Sequence, residues 1–269
     1  MEKIGILGCG WLGLALAKKA IEKGYGVNAT TTTQSKKLKL QLTQIAPFLL
    51  EINENEIKGE DLFFKDVSTL IISIPTGLRK NPNRNFDKII GQVIAKIKGF
   101  KIKKVVFLSS TSVYGFQEEE ITEESPTLGG TSSAIQLLIS EKMLLESEEF
   151  ETCVIRLGGL MGPERHPVYS LSLKNNLPNP DSPVNFIHQR DAVDIILKLI
   201  ETWQPNEIYN AVTPFHPSRK NYYTEMASIA NISPPDFQPE GTVRGKISSQ
   251  KVRDKIDFTF LVDNLLILN

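Results

Sequence analysis

Gly8-Cys9-Gly10-Trp11-Leu12-Gly13 stands between a short apolar run, Lys3 to Leu7, and an amphipathic stretch, Leu12 to Lys23. The spacing is Gly-x-Gly-x-x-Gly. In such a turn the first glycine permits a sharp bend, the second lets the backbone approach a diphosphate, and the third lets helix pack close on strand. Free N–H groups at the helix start then meet the phosphate charge. A strand before and a helix after, at the head of a βαβ pattern, predict a dinucleotide-binding turn; a glycine turn kept only for packing is the alternative. Gly8, Gly10, Trp11, Leu12 and Gly13 are its candidate contacts, and Cys9 reads as a small filler.

Outward from this turn, short apolar runs alternate with amphipathic stretches, which predicts a parallel sheet covered by helices. Gly24 is placed to stop the first helix. Val27 to Thr31 is the second strand and Phe48 to Ile52 a weak third. Thr69 to Ile74 is β-branched almost throughout, as in a central strand buried on both faces, and Ile74 and Pro75 at its end are candidate cofactor contacts. A helix over Phe86 to Lys98, a strand over Val105 to Leu108, a helix over 131–149 and a strand over Thr152 to Arg156 follow. Residues 158–184 hold three glycines and five prolines with little periodicity and read as a loop-built lobe. Asp191 to Thr202 is helical and Glu207 to Val212 a strand. The expected division is 1–157 plus 189–212 for the nucleotide domain and 158–188 plus 213–269 for a small substrate lobe.

Composition narrows the class. Thirty-one basic and thirty-one acidic residues cancel, so nothing recommends a nucleic-acid or membrane-surface partner. Cys9 and Cys153 are too far apart for a metal-ligand spacing, no metal site is expected, and two isolated thiols suit a reducing compartment. Glycines interrupt the first apolar run too early for a signal peptide. A cytoplasmic location is expected.

The end of the second strand bears on which dinucleotide binds. NAD sites usually place an acid there, but the sequence is Thr30-Thr31-Thr32-Thr33-Gln34-Ser35-Lys36-Lys37. Hydroxyls and two lysines tolerate a 2′-phosphate, which favours NADP over NAD, with Thr31 and Thr32 as contacts. Threonines that merely form strand, with solvent-facing lysines, are an equal reading.

Ser109-Ser110-Thr111-Ser112-Val113-Tyr114-Gly115 follows a buried strand, at the carboxyl edge where open α/β sheets bind ligands. It resembles the Ser-Ser-x-x-Val-Tyr-Gly segment of the extended short-chain dehydrogenase/reductases, the sugar-nucleotide epimerase and dehydratase group. Arg156 to Leu160, Gly162 to Pro167, Tyr209 to Ala211 and Pro214 to Pro217 are similar to a YeeZ-like, atypical subgroup of that family. The resemblance implies an α/β fold: a Rossmann-type doubly wound parallel sheet with a smaller, loop-rich C-terminal substrate lobe. It also implies NAD(P) as cofactor, Ser110 as a catalytic hydroxyl, Ser109 beside the cofactor and Tyr114 near the nicotinamide.

The family continues with a helix carrying Tyr-x-x-x-Lys and a later glutamate. Spaced by four, both side chains share one helix face, and the ammonium lowers the phenol pKa so that it can pass a proton near neutrality. Counted back from Glu141, the tyrosine position holds Ser133 and the lysine position Leu137, and no tyrosine lies between Gly115 and Glu151. His166 and His188, which the resemblance places at the substrate loop and the inter-lobe cleft, are candidate acid/base or substrate groups, and hydrogen bonding to loop backbone is the bland reading of each. Arg165 is a candidate anion contact, and Ser133 a substrate contact.

Two functions stay open. One is an epimerase, dehydratase or reductase acting on a nucleotide sugar or similar polar carbonyl compound, with Ser110, His166 and Tyr114 as catalytic candidates. The other is a non-catalytic dinucleotide-binding or redox-sensing protein. The 131–149 helix is apolar on two sides, leaving monomer or homodimer open.

Overall fold

The computed structural model describes residues 2–268. In chain order the elements are β1 (Lys3–Leu7), α1 (Trp11–Glu22), β2 (Gly26–Thr31), α2 (Gln34–Gln41), β3 (Ala46–Ile52), β4 (Ile57–Gly59), β5 (Thr69–Ile72), α3 (Phe86–Gly99) and β6 (Lys104–Ser110). There follow α4 (Ser132–Leu145), β7 (Glu151–Leu157), β8 (Gly159–Met161), α5 (Pro167–Leu171), β9 (Phe186–His188), α6 (Gln189–Glu201), β10 (Ile208–Ala211), α7 (Arg219–Ile229) and α8 (Gln250–Ile256).

Eight strands form one sheet in the order β10-β7-β6-β5-β1-β2-β3-β4. Every pairing is parallel except β3 with β4. The order reverses between β1 and β5, and a doubly wound sheet binds ligands at that switch point. Strand side chains alternate between two cores, as a sheet covered on both faces requires. Ile4, Ile6, Ile71, Val106 and Ile155 pack under α1 and α6. Leu70, Ile72, Val105, Phe107 and Val154 pack under α3 and α4.

The stop at Gly24 is as expected: its φ of +87° lies where side chains are disfavoured, and its N–H bonds the Ile21 carbonyl. Other stretches differ from expectation. The helix over 131–149 ends at Leu145, and its cap is Thr131, whose hydroxyl accepts from Ala134 N–H. Within 158–184 lie β8 and α5, and β8 pairs in parallel with β9. Ile135 and Ile139 of α4 are exposed.

A third apolar cluster, Met161, Val168, Val184, Tyr222, Tyr223, Met226 and Leu265, builds a small lobe around α7. The tail serves both halves. Val252, Ile256, Phe258 and Phe260 pack in the core under α1 and α6. Asp191, buried at the start of α6, accepts from the N–H groups of Leu261 (2.8 Å) and Val262 (3.1 Å). Residues 242–249 form a strap between the halves. Its Arg244 N–H bonds Ser182 Oγ in the lobe, while its Gly245 N–H bonds the Gln117 carbonyl and its Lys246 carbonyl accepts from Ile121 N–H on the other side. No helix among the described residues is long and apolar enough to cross a membrane.

Candidate functional site

The glycine turn has the conformation its spacing demands. Gly8 has φ +104°, its N–H bonds Thr30 Oγ1 at 2.8 Å, and the next N–H, of Cys9, bonds the Thr30 carbonyl at 2.9 Å. A Cβ on Gly13 would drive into the Gly8 carbonyl oxygen, so only glycine lets α1 sit this close to the turn. A Cβ on Gly10 would meet open space. Helix α1 starts at Trp11 with no side-chain cap and no acid in its first turn, which leaves the N–H groups of Trp11, Leu12 and Gly13 to an external acceptor. Ile74 and Ser73, beyond β5, wall the turn within 3.0 Å of a Cβ at Gly8, and Pro75 follows them. These residues fit a dinucleotide diphosphate: the approach to Gly10 is open, and the donors face it.

At the end of β2, Thr31 is buried and Thr32 exposed. The two lysines differ. Lys37 pairs with Glu60 at 2.6 Å, whereas the Lys36 ammonium donates to the Cys9 carbonyl, at the glycine turn itself.

Beyond β6 the two serines part. Ser109 is buried and donates to Glu141 at 2.5 Å. Glu141 is 3% exposed and meets Arg156, 4% exposed, through contacts of 2.7, 3.2 and 3.3 Å. The Arg156 guanidinium lies 4.8 Å from the Tyr114 ring centre, and Tyr114 donates its hydroxyl proton to Asn210 Oδ1 at 2.7 Å. Tyr114 is fully buried, and burial pushes its pKa up. Expected at the nicotinamide, it lies in this internal network with its hydroxyl bonded to Asn210. Ser110 is half-exposed and accepts from Ser112 N–H at 3.1 Å.

On α4, the Ser133 hydroxyl meets that of Thr76 at 2.8 Å, just past β5. Leu137 is buried in the apolar cluster under α3 and α4. One helical turn thus offers a hydroxyl pair followed by a hydrocarbon.

The histidines are tied into the frame. His166 caps α5: its Nδ1 accepts from Val168 N–H at 3.2 Å, so its proton sits on Nε2, 3.1 Å from the Tyr222 hydroxyl. Tyr222 in turn donates to the Leu265 carbonyl at 3.1 Å. Burial pulls the His166 pKa down to about 4, which leaves the ring neutral and suits it to holding the lobe rather than to moving protons. His188 caps α6, its Nδ1 accepting from Arg190 N–H at 3.2 Å. Arg165, expected to meet substrate, lies 5.0 Å from the Trp11 ring centre. It stands over the glycine turn and is absent from the cleft wall.

That cleft, of ≈ 700 Å³, opens between the sheet edge and the small lobe. Ser110, Thr111, Ser112 and Thr131 line one side; Asn179, Asn185, Tyr223 and Arg219 line the other, with Arg244 entering from the strap. Sequence reading missed Arg244. It lies in an aperiodic tail, 133 positions from Thr111, whose carbonyl it bonds at 3.3 Å, and only the fold brings the two together. Burial lowers its pKa, no carboxylate pairs with it among the described residues, and its Nε is buried without a hydrogen-bond partner. A guanidinium in that state is desolvated without a compensating negative charge, which favours an anion beside it.

The sheet is of the Rossmann type, with a glycine turn at its switch point and a cleft between its carboxyl edge and the small lobe. Solved structures agree in fold. The chain superposes on UDP-glucuronic acid 4-epimerase from Bacillus cereus in complex with NAD at TM-score 0.82, with 15% identity, covering 98% of this chain and 94% of that one. For dTDP-glucose 4,6-dehydratase from Bacillus anthracis in complex with NAD the TM-score is 0.79, with 13% identity over 99% and 94%. No protein-family model matches the chain. Protein YeeZ of Escherichia coli is 28% identical over 273 residues, 100% of this chain and 99% of YeeZ. Over its full length the chain is thus similar to YeeZ, and its fold is that of the NAD-bound epimerase and dehydratase structures.

Proposed function

We propose that the protein binds NAD(P) at the glycine turn and an anionic, polar small molecule of the nucleotide-sugar kind in the cleft, as an epimerase-, dehydratase- or reductase-like protein. The observation that carries this reading is Arg244, a half-buried guanidinium without a counter-ion on the cleft wall. A diphosphate or carboxylate would complete it. Structures with this fold have been solved with NAD, and two with UDP-glucuronic acid and NAD.

When bound, the dinucleotide would supply hydride donor or acceptor chemistry. Ser110 is placed to hydrogen-bond a substrate oxygen, and Arg244 and Arg219 to bind its charged end. NADP is favoured over NAD because no carboxylate closes β2 and Lys36 stands at the turn.

A second reading, binding without turnover, has its own support. The residues lining the cleft include no Asp, Glu, His, Lys or Cys, and the buried Tyr223 phenol has its pKa pushed further up. Calorimetry with NAD, NADP, UDP-glucose and UDP-glucuronate, followed by spectroscopic detection of reduced nicotinamide, separates the two. Ternary binding lost in Arg244→Gln, with hydride transfer, supports the first. The same binding with no change in cofactor redox state supports the second. Absence of any sugar-nucleotide binding refutes the cleft assignment.

A further inference from the structure

We infer that Arg165 is a cofactor-binding residue: seated on Trp11, it closes the dinucleotide site over the diphosphate. This rests on the cofactor reading above.

Arg165 is presented on a braced hairpin. Gly162 and Arg165 bond each other across a tight hairpin, Arg165 N–H to the Gly162 carbonyl at 2.9 Å and Gly162 N–H to the Arg165 carbonyl at 3.3 Å. Pro163 and Glu164 form its tip, and Glu164 takes the left-handed φ of +60°. The hairpin is bolted to the first residue of α1. Trp11 Nε1 donates to the Pro163 carbonyl at 3.0 Å, and Gln189 Nε2 donates to the Trp11 carbonyl at 3.1 Å. Gly162 has φ +150°, and a Cβ there would stand 3.2 Å from the Trp11 ring. The fit of hairpin on indole therefore depends on that glycine.

On this base the guanidinium lies 5.0 Å from the Trp11 ring centre. Stacking on an indole orients a guanidinium and leaves its N–H fork free to donate. Among the described residues no carboxylate pairs with Arg165, and no acceptor takes a hydrogen bond from its side chain. It is exposed, with Glu164 the adjacent acid at the hairpin tip. Trp11, on which it stacks, is the first residue of α1, whose start carries no side-chain cap, and the neighbouring Gly10 has an open side. A group carrying two negative charges there would meet helix N–H donors from below and a planar fork from above. A cleft ligand would not, because the cleft is walled by other residues.

The chain has two tryptophans, so a Trp203→Phe protein reports Trp11 fluorescence alone. In that background NAD, NADP and ADP-ribose are titrated by fluorescence and by calorimetry, with AMP as the ligand lacking a diphosphate. Arg165→Gln is expected to weaken NAD and ADP-ribose about tenfold or more, the loss of one charge-assisted contact. Arg165→Lys should recover part of the loss, and AMP should bind both forms alike. Unaltered NAD and ADP-ribose affinity in Arg165→Gln overturns the inference and leaves the cofactor reading standing. An equal loss for AMP also overturns it, since the effect would not follow the diphosphate. A parent protein that binds no dinucleotide removes both.

Discussion

Ser133 and Thr76 hold each other hydroxyl to hydroxyl at 2.8 Å, joining α4 to the loop beyond β5. Leu137, one turn on, is 7% exposed and packed among hydrocarbons. The pair of positions is therefore built for packing, and converting it to a tyrosine and a lysine meets a physical obstacle. Leu137→Lys should lower unfolding free energy by about 3 kcal/mol, because the ammonium enters an apolar cluster without a partner. Ser133→Ala should cost about 1 kcal/mol, the scale of one lost hydrogen bond. Urea unfolding of each variant measures both, and a stable Leu137→Lys protein contradicts the packing argument.

Glu141 and Arg156 form a buried pair with Ser109 and Tyr114 attached. Removing one partner strands the other charge away from water. Glu141→Ala is expected to cost about 3–5 kcal/mol. Glu141→Leu combined with Arg156→Met should recover most of that loss, a double-mutant comparison that a solvent-exposed pair would not show.

Stability should depend on pH through His166. Its folded-state pKa, about 4, lies below the ordinary value of 6.5, so the unfolded chain takes up the proton first as pH falls. The contribution is complete above about pH 6.5 and is lost progressively toward pH 4. Its full size is on the order of 3 kcal/mol. His166→Gln should flatten the slope of unfolding free energy against pH within that window.

Two glycines in one turn should respond oppositely. Gly13→Ala collides with the Gly8 carbonyl and should destabilise the fold. Gly10→Ala points its methyl into open space and should keep the melting temperature while weakening NAD binding. If Gly10→Ala binds NAD like the parent, the cofactor does not approach along that face.

Much of the sheet was legible because its strands are β-branched runs, and a glycine turn in front of a helix has few other uses. Helix α2 was not, since Gln-Ser-Lys-Lys-Leu-Lys-Leu-Gln buries Leu40 alone among its residues and carries almost no periodic signal. β4 is three residues long and largely exposed. Side-chain roles were harder still. Tyr114 sits beside Ser110 in sequence, but the 3-10 turn over Thr111–Tyr114 rotates it inward toward Asn210. His166 reads as a titratable loop residue until Tyr222 is seen at its Nε2. Arg244 and Thr111 meet only through the strap.

Asp191 reaches forward to the backbone of residues 261 and 262, while Phe258 and Phe260 fill the sheet's own core. During synthesis the strands and helices up to β10 leave the ribosome with a hole on one face and an unmet buried carboxylate. The sheet-bearing half can finish folding only once residues 258–262 are free of the ribosome, by which time the strap and Arg244 are free as well. The sheet with its glycine turn and the cleft beside the small lobe are thus completed in one late step, so a nascent chain does not present one finished beside the other unfinished.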